Sequence, residues 1–120
     1  MEFGARRAQG YDSATYGARA AYIGGVAGTA TVSAGEMFDI PVVGTMAHSF
    51  DSEYEAFKAY ALTYPDDCVL LVDTYDTLKS GVPHAIEIAK EVLEPMGKKL
   101  KGIRLDSGDI SYLSKRARAM

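Results

Sequence analysis

The sequence predicts an α/β fold built on parallel strands with intervening helices. Three observations carry that expectation. Cys68-Val69-Leu70-Leu71-Val72-Asp73 is an unbroken apolar run rather than an alternating one, as in a strand covered on both faces. Pro41 to Ser49 and Leu100 to Asp106 are further strand-like stretches that end in polar residues. A helical pattern follows each of the three, and connections of that length join strands in parallel through right-handed crossovers.

The chain has 120 residues, of which 48% are hydrophobic, enough for one modest domain with a real core. The formal charge is -3 and there is no basic stripe, which argues against nucleic acid as a partner. The single cysteine, Cys68, excludes an internal disulfide and reads as a small buried apolar residue. No apolar run approaches the roughly 18 residues that a membrane span needs. Met1 to Arg7 leads into no apolar segment of the signal-peptide kind, so the cytoplasm is the expected location. Motif-like residues begin at position 3, and the last helical pattern, Ser111 to Met120, stops without a C-terminal cap. Both features suggest part of a larger domain.

Taken in order, Asp12 to Thr15 are placed to cap a helix through Tyr16, Ala20 and Ile23, which Gly24 and Gly25 would end. Gly28 to Gly35 reads as a short strand or turn, with Glu36 to Ile40 connecting onward. Pro41 suits the first residue of a strand. Ser52 and Glu55 have capping-box spacing at the start of a helix reaching about Leu62, with Tyr54, Phe57 and Ala61 on one face. Tyr64 to Asp67 is a turn. The next helix is expected from about Pro83 to Met96, with Val82, Ala85, Ile86, Ala89 and Leu93 as its stripe. Pro83 fits the first helical position, Gly97 the end, and Lys98 and Lys99 the negative pole of the helix dipole. Asp109 is placed to cap a last helix carrying Ile110, Leu113 and Ala117. An open doubly wound sheet and a closed barrel both accommodate this order. Polar residues at several strand C-termini suit a barrel active site.

The chemistry gathers at those ends. Asp73, Asp76, Asp106 and Asp109 follow two strands, where they could hold Mg2+ or sugar hydroxyls, or could act as turn and cap residues. Arg104 shares strand parity with Asp106. It is suited to a carboxylate or phosphate, or to an ion pair with Asp106. Arg6 and Arg7 beside Phe3 offer cations next to an aromatic platform. His48, at the end of Gly44-Thr45-Met46-Ala47-His48-Ser49, is a candidate base, ligand or nucleophile. His84 is expected to be an exposed helix residue. No strand carries a lysine poised for Schiff-base work, which disfavours an aldolase-type phosphosugar enzyme.

Four segments in order, Glu2-Phe3-Gly4-Ala5-Arg6-Arg7-Ala8, Gly44 to Ser49, Val72-Asp73-Thr74-Tyr75-Asp76-Thr77 and Arg104-Leu105-Asp106-Ser107-Gly108-Asp109, together resemble the nicotinate phosphoribosyltransferase family. The resemblance spans residues 1 to 120. It implies part of an irregular, TIM-like α/β barrel of the type II phosphoribosyltransferase kind, from the middle of a longer protein that works as a homodimer. It implies formation of nicotinate mononucleotide and pyrophosphate from nicotinate and phosphoribosyl pyrophosphate, with coupled ATP hydrolysis and Mg2+, in NAD salvage. Carried over by motif, Phe3 stacks on the pyridine ring and Arg6 lies near it and the phosphoribosyl pyrophosphate. Thr45 belongs to the substrate site. His48 is the histidine that ATP phosphorylates. Asp73 and Asp106 hold ribose hydroxyls, Mg2+ or pyrophosphate. Arg104 takes the nicotinate carboxylate, and Ser107 and Gly108 shape the ribose loop. In the related nicotinamide enzymes the place of Ala30 carries an aspartate, which would repel a carboxylate, so the resemblance favours the acid over the amide. The other readings are an inactive structural or regulatory fragment of such an enzyme, a nicotinamide phosphoribosyltransferase, or another phosphosugar-binding barrel enzyme.

Overall fold

A computed structural model describes residues 1–44, 46–47 and 52–120. Thr45 and His48 therefore lie outside the described residues. The chain forms two compact units, Met1–Gly44 and Thr45–Met120.

In the first unit, single parallel bridges join Glu2 to Thr29 and Thr29 to Val42. Backbone bonds fix the register: Glu2 N–H to Gly28 O at 2.9 Å, Ala30 N–H to Glu2 O at 3.0 Å, Thr29 N–H to Pro41 O at 3.0 Å and Val43 N–H to Thr29 O at 2.9 Å. Gly28 is required here, because a Cβ would sit 2.7 Å from Pro41 O. The expected strand from Pro41 is thus a one-residue bridge over its described part. Helix α1 spans Tyr11–Ile23 and ends at Gly24 as expected. It starts earlier than expected. Gly10 precedes it with φ 97°, and the Thr15 hydroxyl donates within the helix to Tyr11 O at 2.9 Å instead of capping it. Helix α2, Val32–Phe38, replaces the expected strand or turn at the end of 28–35 and the connection after it. Its burial of Ala34 and the close approach of Gly35 to Val42, which leaves no room for a Cβ, override the β-branched character of Thr31 and Val32. The helices meet through Tyr16 and Phe38, whose ring centroids are 5.5 Å apart, with Arg19 over the Phe38 ring at 5.2 Å.

The second unit is an α/β layer. Strand β1, Val69–Leu71, pairs in parallel with β2, Gly102–Arg104, in the register Val69 to Gly102, Leu70 to Ile103 and Leu71 to Arg104. Among the described residues this is a two-stranded parallel sheet flanked by helices. Cys68, Leu70, Leu71 and Val72 are all buried, as the unbroken apolar run requires. Helix α3, Glu53–Thr63, starts where the Ser52 side chain accepts from the Glu55 N–H, and it buries Phe57 and Ala61. The helix between the strands differs from expectation. Its central α segment α4, Val82–Ile88, lies between π-helical turns at Thr77–Gly81 and Ala89–Leu93. The wider turns shift the phase. The buried stripe is Val82, Ala85, Ile88 and Leu93, while Ile86 is half-buried at the core edge. Each large apolar side chain buried in this core contributes roughly 1.5–3 kcal/mol. Gly97, with φ 70°, ends the segment, and the Lys98 N–H bonds Leu93 O at 2.9 Å. Lys98 also reaches Asp66 of the preceding turn at 2.6 Å. Asp109 caps helix α5, Ile110–Ala119, by accepting from the Tyr112 N–H at 2.9 Å.

Candidate active site

Phe3, Asp73 and Asp106 lie just past a parallel bridge or strand, and Arg104 is the last residue of β2. In the first unit Phe3 follows the Glu2 bridge, and the short 3-10 turn Ala5–Arg7 places Arg6 behind it. Phe3 is 39% exposed, enough of its face for a ligand to stack. Ala30 follows the neighbouring bridge and is exposed, whereas Thr29 and Thr31 on either side are buried. Alternation along the extended backbone puts the small side chain on one face and the hydroxyls on the other.

The hydroxyls meet a carboxylate. Glu2 accepts from Thr29 Oγ1 and, at 3.2 Å, from Thr31 Oγ1, while its other oxygen accepts from the Gly4 N–H. Burial acts to raise the Glu2 pKa. The bonds from Thr29, Gly4 and Thr31 outweigh it and hold the carboxyl below its ordinary value.

In the second unit the ends of β1 and β2 are stitched together. Asp73 follows β1, and its Oδ2 accepts from the Asp106 N–H at 3.2 Å and from the Ser107 hydroxyl, both just past β2. Its Oδ1 is buried with no hydrogen-bond partner among the described residues. Arg104 Nη2 pairs with Asp106 Oδ2 at 2.8 Å, and the two side chains are 21% and 39% exposed. The ion pair left open by the sequence is therefore present. Gly108 follows with φ 76°, a conformation that suits glycine and turns the loop toward α5. Asp76 is a cap. It accepts from Leu78 N–H at 3.1 Å and Lys79 N–H at 2.8 Å.

Sequence reasoning overlooked Glu53. Its side chain is 3% exposed, and Oε1 accepts from Ser80 at 2.6 Å and meets His84 Nδ1 at 2.8 Å. Its Oε2 is buried without a partner among the described residues. Glu53 also lines a cavity of about 10 Å³ with Ala47, Thr74 and Tyr75, space for about one water. His84, expected to be exposed, is half-buried by this pairing. The signal missed was an acidic residue beside the Ser52 cap, which reads as an ordinary favourable charge at a helix N-terminus. Glu2 was visible as part of a motif, but its partners lie some 27 residues away in sequence.

Carboxylates, a guanidinium and hydroxyls thus stand at the ends of parallel strands, where parallel α/β folds place their binding sites. The model of the nicotinate phosphoribosyltransferase (NAPRTase) family matches residues 1–119, and the chain belongs to that family. It is 56% identical over its whole length to a nicotinate phosphoribosyltransferase of Bacillus subtilis and covers 25% of that protein. It is 50% identical over 99% of its length to nicotinate phosphoribosyltransferase pncB2 of Mycobacterium tuberculosis, covering 26% of it. The crystal structure of human nicotinic acid phosphoribosyltransferase superposes with a TM-score of 0.80 at 27% identity, over 98% of this chain and 33% of that one. The chain thus spans about a quarter of the length of these curated relatives.

Proposed function

We propose that the protein carrying this chain is a nicotinate phosphoribosyltransferase, and that these residues form part of an irregular TIM-like barrel in its catalytic domain. It would join nicotinate to phosphoribosyl pyrophosphate in NAD salvage, with ATP hydrolysis coupled, as a cytoplasmic homodimer. The observation that carries the reading is positional. Phe3, Asp73 and Asp106 all follow parallel pairings, within a chain matched to the family over residues 1–119.

The reaction breaks the bond from ribose C1 to the pyrophosphate oxygen and forms one from C1 to the pyridine nitrogen. Positive charge develops at C1 as pyrophosphate leaves. Phe3 stacks on the ring and Arg6 lies beside it, which orients the nitrogen for attack. Arg104 is the cation for the nicotinate carboxylate. Its pairing with Asp106 keeps the guanidinium at the end of β2, and its planar fork of donors suits a carboxylate. Asp106 and Ser107 face the ribose hydroxyls, and Gly108 lets the loop close on them.

The donor set fits Mg2+. Asp73 Oδ1 is a carboxylate oxygen left over after its twin has bound the β2 loop, and Mg2+ characteristically takes one or two carboxylates with substrate phosphates and water. Asp73, with Asp106 nearby, would hold the ion, whose chemistry would be to offset the charge of the leaving pyrophosphate. Thr45 is assigned to the substrate site and His48 to accepting the γ-phosphoryl group of ATP on an imidazole nitrogen, with release of ADP.

The test is formation of nicotinate mononucleotide from nicotinate, phosphoribosyl pyrophosphate and Mg2+, with and without ATP, in the protein that carries this chain and in its His48→Ala variant. Product from the wild type, with the ATP stimulation lost in the variant, is expected. No product from the wild type under any condition overturns the reading.

A further inference from the structure

We infer that Glu2 is a positioning and specificity residue, whose carboxylate ties the turn bearing Phe3 and Arg6 to Thr29 and Thr31 and so fixes where the base-stacking ring stands relative to Ala30. The inference rests on the reading of Phe3, Arg6 and Ala30 as the nicotinate site.

Both carboxylate oxygens are in use. Oε1 accepts from the N–H of Gly4, the residue directly after Phe3. Oε2 accepts from the hydroxyls of Thr29 and Thr31, which flank Ala30. The network closes on itself, since Thr29 Oγ1 also accepts from the Thr31 N–H at 2.9 Å. Thr29 is fully buried and Thr31 is 9% exposed, so water competes poorly at the threonine end of the network, while the Gly4 bond is exposed. The Glu2 backbone holds the same neighbour: its N–H bonds Gly28 O and its carbonyl accepts from the Ala30 N–H. Behind Thr29 the register is locked again, by Thr29 N–H to Pro41 O and by a Gly28 that admits no Cβ. Phe3 and Ala30 are therefore braced through one side chain.

An ionised carboxylate accepts at both oxygens, which suits the Gly4 N–H on one side and the threonine hydroxyls on the other. An alanine at this position removes every one of these side-chain bonds. Loss of the brace frees the Phe3 turn to shift against Ala30. Discrimination between a carboxylate and a carboxamide on the base depends on that spacing.

The experiment compares Glu2→Ala, Thr31→Val and Thr31→Ser in the protein that carries this chain. It measures kcat and KM for nicotinate, nicotinamide and phosphoribosyl pyrophosphate, together with thermal unfolding. Loss of a hydrogen bond to a charged group corresponds to roughly a 10- to 100-fold effect. Glu2→Ala and Thr31→Val are expected to raise the nicotinate KM by about that factor and to lower the nicotinate-over-nicotinamide preference. The KM for phosphoribosyl pyrophosphate should stay within about twofold, and Thr31→Ser should restore wild-type behaviour by returning the hydroxyl. If Glu2→Ala does not fold, the Thr31 pair decides. Unchanged preference in folded variants, or a uniform loss that tracks stability alone, overturns the inference while leaving the nicotinate reading standing. A wild-type protein that makes no nicotinate product overturns that reading and this inference with it.

Discussion

The Asp73 carboxylate, at the end of β1, accepts a hydrogen bond from the Ser107 hydroxyl in the loop after β2. The two residues are 34 positions apart, and their contact joins neighbouring parallel strands at the end where the motif residues gather. One oxygen of Asp73 thus has a structural task, and the other is buried without a hydrogen-bond partner among the described residues.

That division predicts different outcomes for the two partners. Ser107→Ala leaves Asp73 its bond from the Asp106 N–H and should lower kcat/KM for phosphoribosyl pyrophosphate by roughly tenfold. Asp73→Asn removes the charge that a divalent cation would meet and should cost far more. The double variant should show a coupling of about 0.5–3 kcal/mol in a thermodynamic cycle. Strict additivity would mean that the stitch does not serve the site.

Gly81 predicts a steric failure. A Cβ at this position would lie 1.9 Å from the Val72 carbonyl oxygen, whereas one at Gly102 would meet nothing within 4 Å. Gly81→Ala should destabilise by about 3 kcal/mol, at the upper end of overpacking costs. Gly102→Ala should be neutral or slightly stabilising, because alanine is the better strand residue. Urea unfolding of both variants checks the contrast.

Much of this architecture could be read from local sequence. The unbroken run at Cys68, the Ser52 and Glu55 spacing, the stop at Gly97 and the cap at Asp109 all act within a few residues, and each appears where expected. Helix α2 was not legible, because Thr31, Val32 and the flanking glycines favour extended backbone locally. Its formation depends on packing of Gly35 against Val42, which no window around Val32 contains. The π-helical turns were hidden for a related reason. Gly81 is drawn against Val72, and the helix phase adjusts to that contact rather than to a 3.6-residue period. At the site, the Asp residues were visible as types. That Asp76 caps a helical turn while Asp73 stitches the two strands required the fold.

Glu53 is expected to respond differently to loss of charge and loss of partners. Glu53→Gln keeps an acceptor for Ser80 and His84 while removing a buried charge with one unpartnered oxygen. Its stability should therefore stay near wild type. Replacing both Ser80 and His84 by alanine strands the carboxylate and should cost about 3 kcal/mol or more. Equal losses in chemical denaturation would show that the charge itself is needed.

The depressed pKa of Glu2 sets a direction for acid sensitivity. Its folded value lies below the ordinary 4.5, so the unfolded chain binds the proton first as pH falls. The stabilisation is complete above 4.5 and is lost as pH drops through the folded value. Glu2→Gln should flatten that part of the stability profile, measured by thermal unfolding between neutral and acid pH. An unaltered acid limb would assign the sensitivity to other carboxylates.

Cys68 offers a probe of the sheet itself. It is fully buried, burial pushes its thiol up to about 11, and its carbonyl accepts from the Lys101 N–H at 3.0 Å beside the β1–β2 pairing. A shift from 9.0 to about 11 lowers the thiolate fraction near neutral pH about 100-fold, and only the thiolate attacks a disulfide reagent. Native labelling should therefore be slower than that of the unfolded chain by more than this factor, since the sulfur must also be exposed. If opening of the β1–β2 edge controls access, Lys101→Pro, which removes the donor at this point, should speed labelling more than it changes global stability. Labelling that rises only in step with global unfolding would place Cys68 inside the last structure to open, and the parallel pair would then be the firmest part of the second unit.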